Sequence, residues 1–408
     1  MRISTEELKR ERASRNGRIL LTGGTGFLGS HLAAELLRLG YRIFLLARPL
    51  KQQRANERVA KLLDWFGIAP DLRRNLRIIE GTIEKPRMGL SGEVLSDCLE
   101  NTVEVIHCAS NTSFAERKRP EVEAANIDGL LNLLDFASRS RCVFFHHLST
   151  AYAAGRKEGL CREELVDTDD FTNVYEETKA RGERLASEHC RTVGIRLNIY
   201  RPSIVYGDSR TGRSLLFNAL YYPVKTIVFL KNLYDADILE GGGRKAAMIG
   251  VRRESDGSLH LPIRLEVESA EGINLIPVDY FVAAFMAILE DSLEGGIFHI
   301  VNARQKTMAD LIDYTRRLFN IRGMEPCRPE DFEARPRNAL EILFNNYLEA
   351  YGPYMRDKRT FAMDNAQGIL AKRAIACPES DFEVFSRCMN YALEVDWGAN
   401  LRAPGAPG

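Results

Sequence analysis

The chain has 408 residues, and its 56 Lys+Arg balance its 56 Asp+Glu to a formal net charge of zero. That balance excludes a dedicated nucleic-acid binder, which carries a basic excess. With 45% hydrophobic and 27% charged residues, the composition is that of a globular chain and excludes a disordered one.

Residues 1–18 are too charged for the apolar core of a secretory signal, and residues 1–16 read as a flexible tail. The eight cysteines form no C-x-x-C pair and no zinc-spaced Cys/His cluster, so reduced thiols, no metal and a cytoplasmic location are expected. Arg18–Thr22 is a short apolar run, followed by a glycine-rich turn and an amphipathic stretch Phe27–Leu39. Further apolar runs lie at Tyr41–Ala47, Leu76–Glu80, Val103–Cys108, Val143–Leu148 and Ile195–Tyr200, separated by helical patterns near 51–66, 119–138 and 173–193. Runs without strict alternation suit parallel strands covered on both faces, so an α/β fold with a Rossmann-type doubly wound sheet is expected.

Beyond Tyr206 the rhythm changes. A hairpin is expected around Asp256–Gly257, returning strands at Asn274–Pro277 and Ile297–Val301, and helices at Val278–Leu289, 307–320 and 338–350. The expected division is a Rossmann-type domain over 17–212 with return segments at about 272–302, an interleaved, mainly helical region over 213–271 and 303–400, and a frayed tail at 401–408. No apolar run reaches the ~18 residues of a spanning helix. Leu215–Tyr234 comes nearest, but Asn218, Pro223, Lys225, Lys231 and Asn232 interrupt it. A buried or pocket-lining helix pair is expected there, with contact at a membrane surface as the alternative.

Gly23, Gly26 and Gly29 stand in G-x-x-G-x-x-G spacing between a strand and a helix. The first permits a tight turn, the second lets a pyrophosphate approach the backbone, and the third lets helix pack on strand. The helix N-terminus offers free N–H groups to phosphate. The second strand ends in Ala47-Arg48-Pro49, with no carboxylate between Tyr41 and Asn56. An acidic residue there would hydrogen-bond the ribose of NAD, whereas Arg48 suits a 2′-phosphate, so NADPH is expected. Lys51, Arg54 and Arg58 add positive charge, a solvated helix face being the alternative for the two arginines.

Tyr175 and Lys179 are one helical turn apart, at the start of the helix after the strand ending at Leu148. An adjacent ammonium is expected to lower the phenol's pKa and ready it as a proton donor to a carbonyl oxygen. Ser149 and Thr150, just past that strand, supply hydroxyls for the same oxygen. Cys108 reads as packing, and His146 and His147 as structural.

TGGTGFLG, LSTAYAAG (Leu148–Gly155) and YEETK together resemble the extended short-chain dehydrogenase/reductases. EKPRMGLS (Glu84–Ser91), VIHCASNTSF (Val105–Phe114), NIDG (Asn126–Gly129), YRPSIVYGDSRTG (Tyr200–Gly212) and NLIPVDY (Asn274–Tyr280) make the chain similar to the fatty acyl-CoA reductase and thioester reductase branch. A weaker likeness to the terminal helical part of fatty acyl reductases lies in Tyr351–Asn365.

The resemblance implies that Gly23, Thr25, Gly26, Phe27, Leu28 and Gly29 hold the pyrophosphate, and that Arg48, with Arg58, meets the 2′-phosphate. It places the Ile83 backbone near adenine, where the branch usually has Asp and this chain has Thr82. Ala109, Ser110 and Ser149 fall beside the ribose and nicotinamide, and Pro202, Ser203 and Ile204 beside the carboxamide. Thr150, Tyr175 and Lys179 become the catalytic set, with Tyr175 and Lys179 also touching the cofactor. The implied reaction is NADPH-dependent reduction of an acyl-CoA or acyl carrier protein thioester to an aldehyde, with a second hydride giving an alcohol. Leu215–Tyr234 would then line a channel for the acyl chain. An NDP-sugar epimerase or dehydratase, or a hydroxysteroid-type dehydrogenase, is the alternative on the same scaffold. A non-catalytic NADPH-sensing protein is the alternative from another class.

Overall fold

The computed structural model describes residues 5–14, 17–50, 53–267, 272–348, 352–355 and 357–401. Seven strands form the central sheet: β1 (Arg18–Thr22), β2 (Arg42–Ala47), β3 (Leu76–Glu80), β4 (Thr102–His107), β5 (Phe144–Leu148), β6 (Arg196–Pro202) and β7 (Gly296–Ile300). They run parallel in the order β7-β6-β5-β4-β1-β2-β3. Alternate residues feed opposite faces, as the strand period of two requires. Ile19, Leu21, Ile43 and Leu45 pack with Leu32, Leu36 and Leu37 of helix Phe27–Arg38. Leu20, Phe44, Leu46 and Val105 pack with Leu130, Leu133 and Leu134 of helix Gly129–Arg139 on the other face. The fold is therefore a Rossmann-type doubly wound sheet. Its strand order reverses between β1 and β4, where such folds open a crevice at the strands' carboxyl ends.

Residues 5–14, expected as part of a flexible tail, instead form a helix, Thr5–Ser14, that buries Leu8 and Arg12. The Arg12 guanidinium meets the Glu104 carboxylate on β4 through two hydrogen bonds, at 3.0 and 2.9 Å. Glu104 also meets His146 Nε2 at 2.8 Å, and His146 Nδ1 meets the Tyr200 hydroxyl at 2.8 Å. Burial alone would raise the Glu104 carboxyl, but the Arg12 charge and these hydrogen bonds hold it down to about 2. Nothing local in residues 1–16 announces a partner 92 positions away.

The chain beyond Tyr206 builds a smaller layer. Arg252–Arg253 and Leu259–Glu266 form the expected hairpin, and Ile321–Cys327 adds an unexpected third strand, parallel to the second. Only Ile321 and Met324 of that strand are buried, too sparse a pattern to read locally. Leu215–Tyr234 holds one helix, Tyr221–Glu240, after a turn, rather than a pair of helices. Among the described residues no helix is long and apolar enough to cross a membrane. Arg359–Phe361 returns to pair in parallel with Gly159–Cys161, carrying the C-terminal segment back to the first half.

Candidate active site

Gly23 leaves β1 with φ +72, and a Cβ there would lie 2.5 Å from the Ala109 nitrogen at the end of β4. A Cβ on Gly29 would lie 2.3 Å from the Gly23 carbonyl, so both positions admit only glycine. The Gly26 N–H donates to the Gly23 carbonyl at 2.9 Å and closes the turn. No side chain caps helix Phe27–Arg38, so its first N–H groups face the crevice without a competing acceptor.

At the end of β2, Arg48 is exposed and pairs with Glu84 at 3.1 Å. Arg58 donates to the Arg48 carbonyl at 2.8 Å and to the Thr25 hydroxyl at 3.1 Å. It thus ties the glycine loop to the strand end, with the Arg48 cation beside it. Desolvation first, and then Arg48, lower its pKa. Lys51 lies outside the described residues. Ile83 buries its side chain in the core under helix Gly129–Arg139 and gives its carbonyl to the Asn132 amide at 2.8 Å. It does not line the cavity described below.

Tyr175 and Lys179 sit on the first turns of helix Val174–Val193, capped by the Asn173 side chain, which accepts from the Glu176 N–H at 3.0 Å. The Thr150 hydroxyl neighbours the Tyr175 phenol on the cavity wall and accepts from the Tyr152 N–H at 3.3 Å. Lys179 Nζ donates to the Leu148 carbonyl at 2.7 Å, at the end of β5. The expectation that Lys179 lowers the Tyr175 pKa is not met. Burial pushes the phenol above its usual value, against the pull of Thr150. The phenol is therefore neutral, in the form that donates a proton. Burial also brings the Lys179 ammonium down to about 8.

Asn126 had no role assigned from sequence, although it opens the NIDG stretch. Its Oδ1 accepts from the Ser110 hydroxyl at 3.0 Å and the Asn111 N–H at 2.8 Å, and its amide donates to Thr178 at 3.0 Å. It couples the loop after β4 to the helix bearing Tyr175. It stands in a π-helical turn, Ala124–Asp128, which apolar periodicity does not reveal.

A cavity of about 750 Å³ runs from the glycine loop past Ser110, Ser149, Thr150, Tyr175 and Lys179. It continues along Pro202, Ser203 and Ile204 to an apolar end formed by Val224, Ile227, Leu265, Ile312, Met324 and Phe344. Gly23, Gly26, Phe27, Leu28 and Gly29 line its mouth. Thr25 and Arg48 stand outside that lining, and Ala109 spends its N–H on the Thr22 hydroxyl at 3.3 Å. The Ser149 and Ser203 hydroxyls are buried on the cavity wall without a hydrogen-bond partner among the described residues. Such orphaned groups, with a loop that a Cβ would fill, fit a polar cofactor. Cys108 also lines the cavity, and burial pushes its thiol up to about 12, so it offers no thiolate nucleophile.

The sequence model of the family described as male sterility protein matches residues 21–285. Fatty acyl-CoA reductase 2 of Homo sapiens is 29% identical over 223 residues, covering 46% of this chain and 43% of that protein. The non-canonical nonribosomal peptide synthetase FrzA of Cladobotryum sp is 26% identical over 330 residues, 78% of this chain and 29% of that protein. The chain thus spans less than half the length of these curated relatives. The terminal R domain from the myxalamid PKS-NRPS pathway superposes with a TM-score of 0.72 at 22% identity, covering 95% of this chain and 92% of that one. A UDP-glucuronic acid 4-epimerase from Bacillus cereus, solved with NAD, gives 0.61 at 18% identity over 93% of this chain and 98% of that one. At these identities the likeness is one of fold.

Proposed function

Since the chain belongs to the male sterility protein family, in the fatty acyl and thioester reductase branch of the extended short-chain dehydrogenase/reductases, it is an oxidoreductase with an NAD(P)-binding domain, and we propose that it reduces an acyl thioester with NADPH. The observation that carries this reading is one cavity joining the glycine loop, the Thr150/Tyr175/Lys179 set and an apolar end. The thioester is carried on CoA or on an acyl carrier protein, and its acyl chain fills the apolar end.

Residues 17–212 and the returning segment 272–302 form the dinucleotide-binding part, and 213–271 with 303–400 cover the substrate. Gly23, Gly26, Phe27, Leu28 and Gly29 hold the pyrophosphate, and Arg48 and Arg58 the 2′-phosphate. Ser110, Ser149, Ser203 and Lys179 meet the ribose and nicotinamide side. NADPH, when bound, supplies hydride to the thioester carbonyl carbon. Tyr175 and Thr150 donate hydrogen bonds to the oxygen that gains charge, the role of fixed, preorganised donors. Lys179 holds the backbone at Leu148, at the end of the strand that leads to Thr150. The C–S bond then breaks, the thiolate takes up a proton, and an aldehyde remains. A second hydride to the aldehyde carbon, with the Tyr175 proton passing to its oxygen, gives an alcohol.

The test is NADPH oxidation by the purified chain across acyl-CoAs, acyl carrier proteins, aldehydes and NDP-sugars. Turnover with thioesters supports the reading. Turnover on NDP-sugars alone, or NADPH binding with no turnover on the whole panel, overturns it.

Two further outcomes follow from the same geometry. Arg58→Ala removes a guanidinium that meets phosphate, a contact worth about 1.5–3 kcal/mol. The Kd for NADPH is expected to rise about tenfold or more while that for NADH changes less than twofold, as read by fluorescence titration. Ile227→Trp overfills the apolar end, and overpacking there costs about 1–3 kcal/mol. Competition assays should show kcat/KM for a sixteen-carbon acyl-CoA falling about tenfold or more, with little change for a four-carbon one.

A further inference from the structure

The helix carrying Tyr175 is held at its start by residues nearly 180 positions later. The Tyr354 hydroxyl donates to Glu176 Oε1 at 2.7 Å and accepts from the Asn173 amide at 2.8 Å. Asn173 is the cap of that helix. Glu176, next in sequence to Tyr175, is fully buried, and its other oxygen accepts from the Thr172 N–H at 3.2 Å. Arg359 lies 3.9 Å from the same carboxylate, donates to the Gly155 carbonyl at 2.7 Å and covers the Tyr152 ring at 4.7 Å.

The Tyr354 ring lines the cavity, 5.4 Å from Phe114 and 5.0 Å from Tyr152, and Phe114 stands 6.0 Å from Tyr175. A buried carboxylate is costly unless hydrogen-bonded and paired. Glu176 takes no part in the chemistry derived above, yet among the described residues its side-chain partners are Thr172 of the cap turn, Tyr354 and Arg359. The arrangement makes the C-terminal segment a wall of the reaction chamber.

We propose that Tyr354 and Arg359 are positioning residues, through which the C-terminal segment, acting on Glu176 and the Asn173 cap, sets where the Tyr175 phenol stands in the cavity. This rests on the reading of Tyr175 as the proton donor. It adds that the donor's position is decided outside the dinucleotide-binding part of the chain.

Tyr354→Phe keeps the ring and removes only the hydroxyl. In the full chain, kcat with a long-chain acyl-CoA is expected to fall about tenfold, with the Kd for NADPH within twofold of the parent. Glu176→Gln should give a similar fall, and the double variant should fall no further than the worse single one, because both break one network. An unchanged kcat in Tyr354→Phe overturns the proposal. So does additive behaviour, or a fall in kcat matched by an equal loss of NADPH affinity, which marks general disorder. Amide exchange in the free protein separates this proposal from the assigned activity. Faster exchange at residues 174–178 in Tyr354→Phe, with the central sheet unchanged, supports the clasp even if the parent reduces no thioester. Unchanged exchange at 174–178 overturns it.

Discussion

Tyr175→Phe lowers kcat for thioester reduction by about 10³-fold, within the range for losing a positioned proton donor, and leaves NADPH affinity close to that of the parent. The phenol is half-buried, holds its proton and neighbours Thr150, so the substitution removes one hydroxyl and keeps the ring. Phenylalanine fills the same volume and keeps the contact with Phe114. Steady-state kinetics paired with a binding titration reads the result. A Tyr175→Phe enzyme retaining a tenth or more of the parent kcat would remove the phenol from the reaction. The direction of its pKa adds a detail. A phenol that holds its proton through the neutral range gives no loss of activity on the acid side from its own titration.

Glu183→Ala is the substitution with the largest expected effect on stability, about 3–5 kcal/mol. Arg201 on β6 is fully buried, and its Nε donates to Glu183 at 2.9 Å from the helix that carries Tyr175. Its Nη2 makes a second bond to the same carboxylate and another to the Glu164 carbonyl at 2.8 Å. Removing Glu183 leaves a guanidinium in the core without its counter-charge. The cost comes mainly from that stranded charge rather than from the lost pair. Glu183→Leu combined with Arg201→Met is therefore expected to recover most of the loss. Urea denaturation of the single and double variants measures both. A loss under 1 kcal/mol in Glu183→Ala would mean that water reaches Arg201.

The readable parts of the chain are those whose cause is local. Residues 18–22, 42–47 and 76–80 are strands because short apolar runs feed both faces of a covered sheet. Gly23 and Gly29 are required by contacts within seven residues of one another and by the nearby end of β4. Tyr175 and Lys179 share a helix face through their spacing of four. Other features have causes that lie far along the chain. Helix Thr5–Ser14 docks because Glu104 waits beneath it. Strand Ile321–Cys327 forms because Leu259–Glu266 offers it an edge. Arg58 is expected beside Arg48, with a solvated helix face as the alternative, and only the structure brings it to Thr25 and the Arg48 carbonyl.

By itself, then, the sequence determined the strands of the sheet, the glycine-rich turn and the shared helix face of Tyr175 and Lys179, because periodicity and spacing act over one or two turns of chain. The tertiary structure alone decided that the phenol holds its proton, that the cavity has an apolar end and that Tyr354 meets Glu176. Burial, which sets each of these, is a property of what packs over a residue, and here the covering residues come from distant segments of the chain.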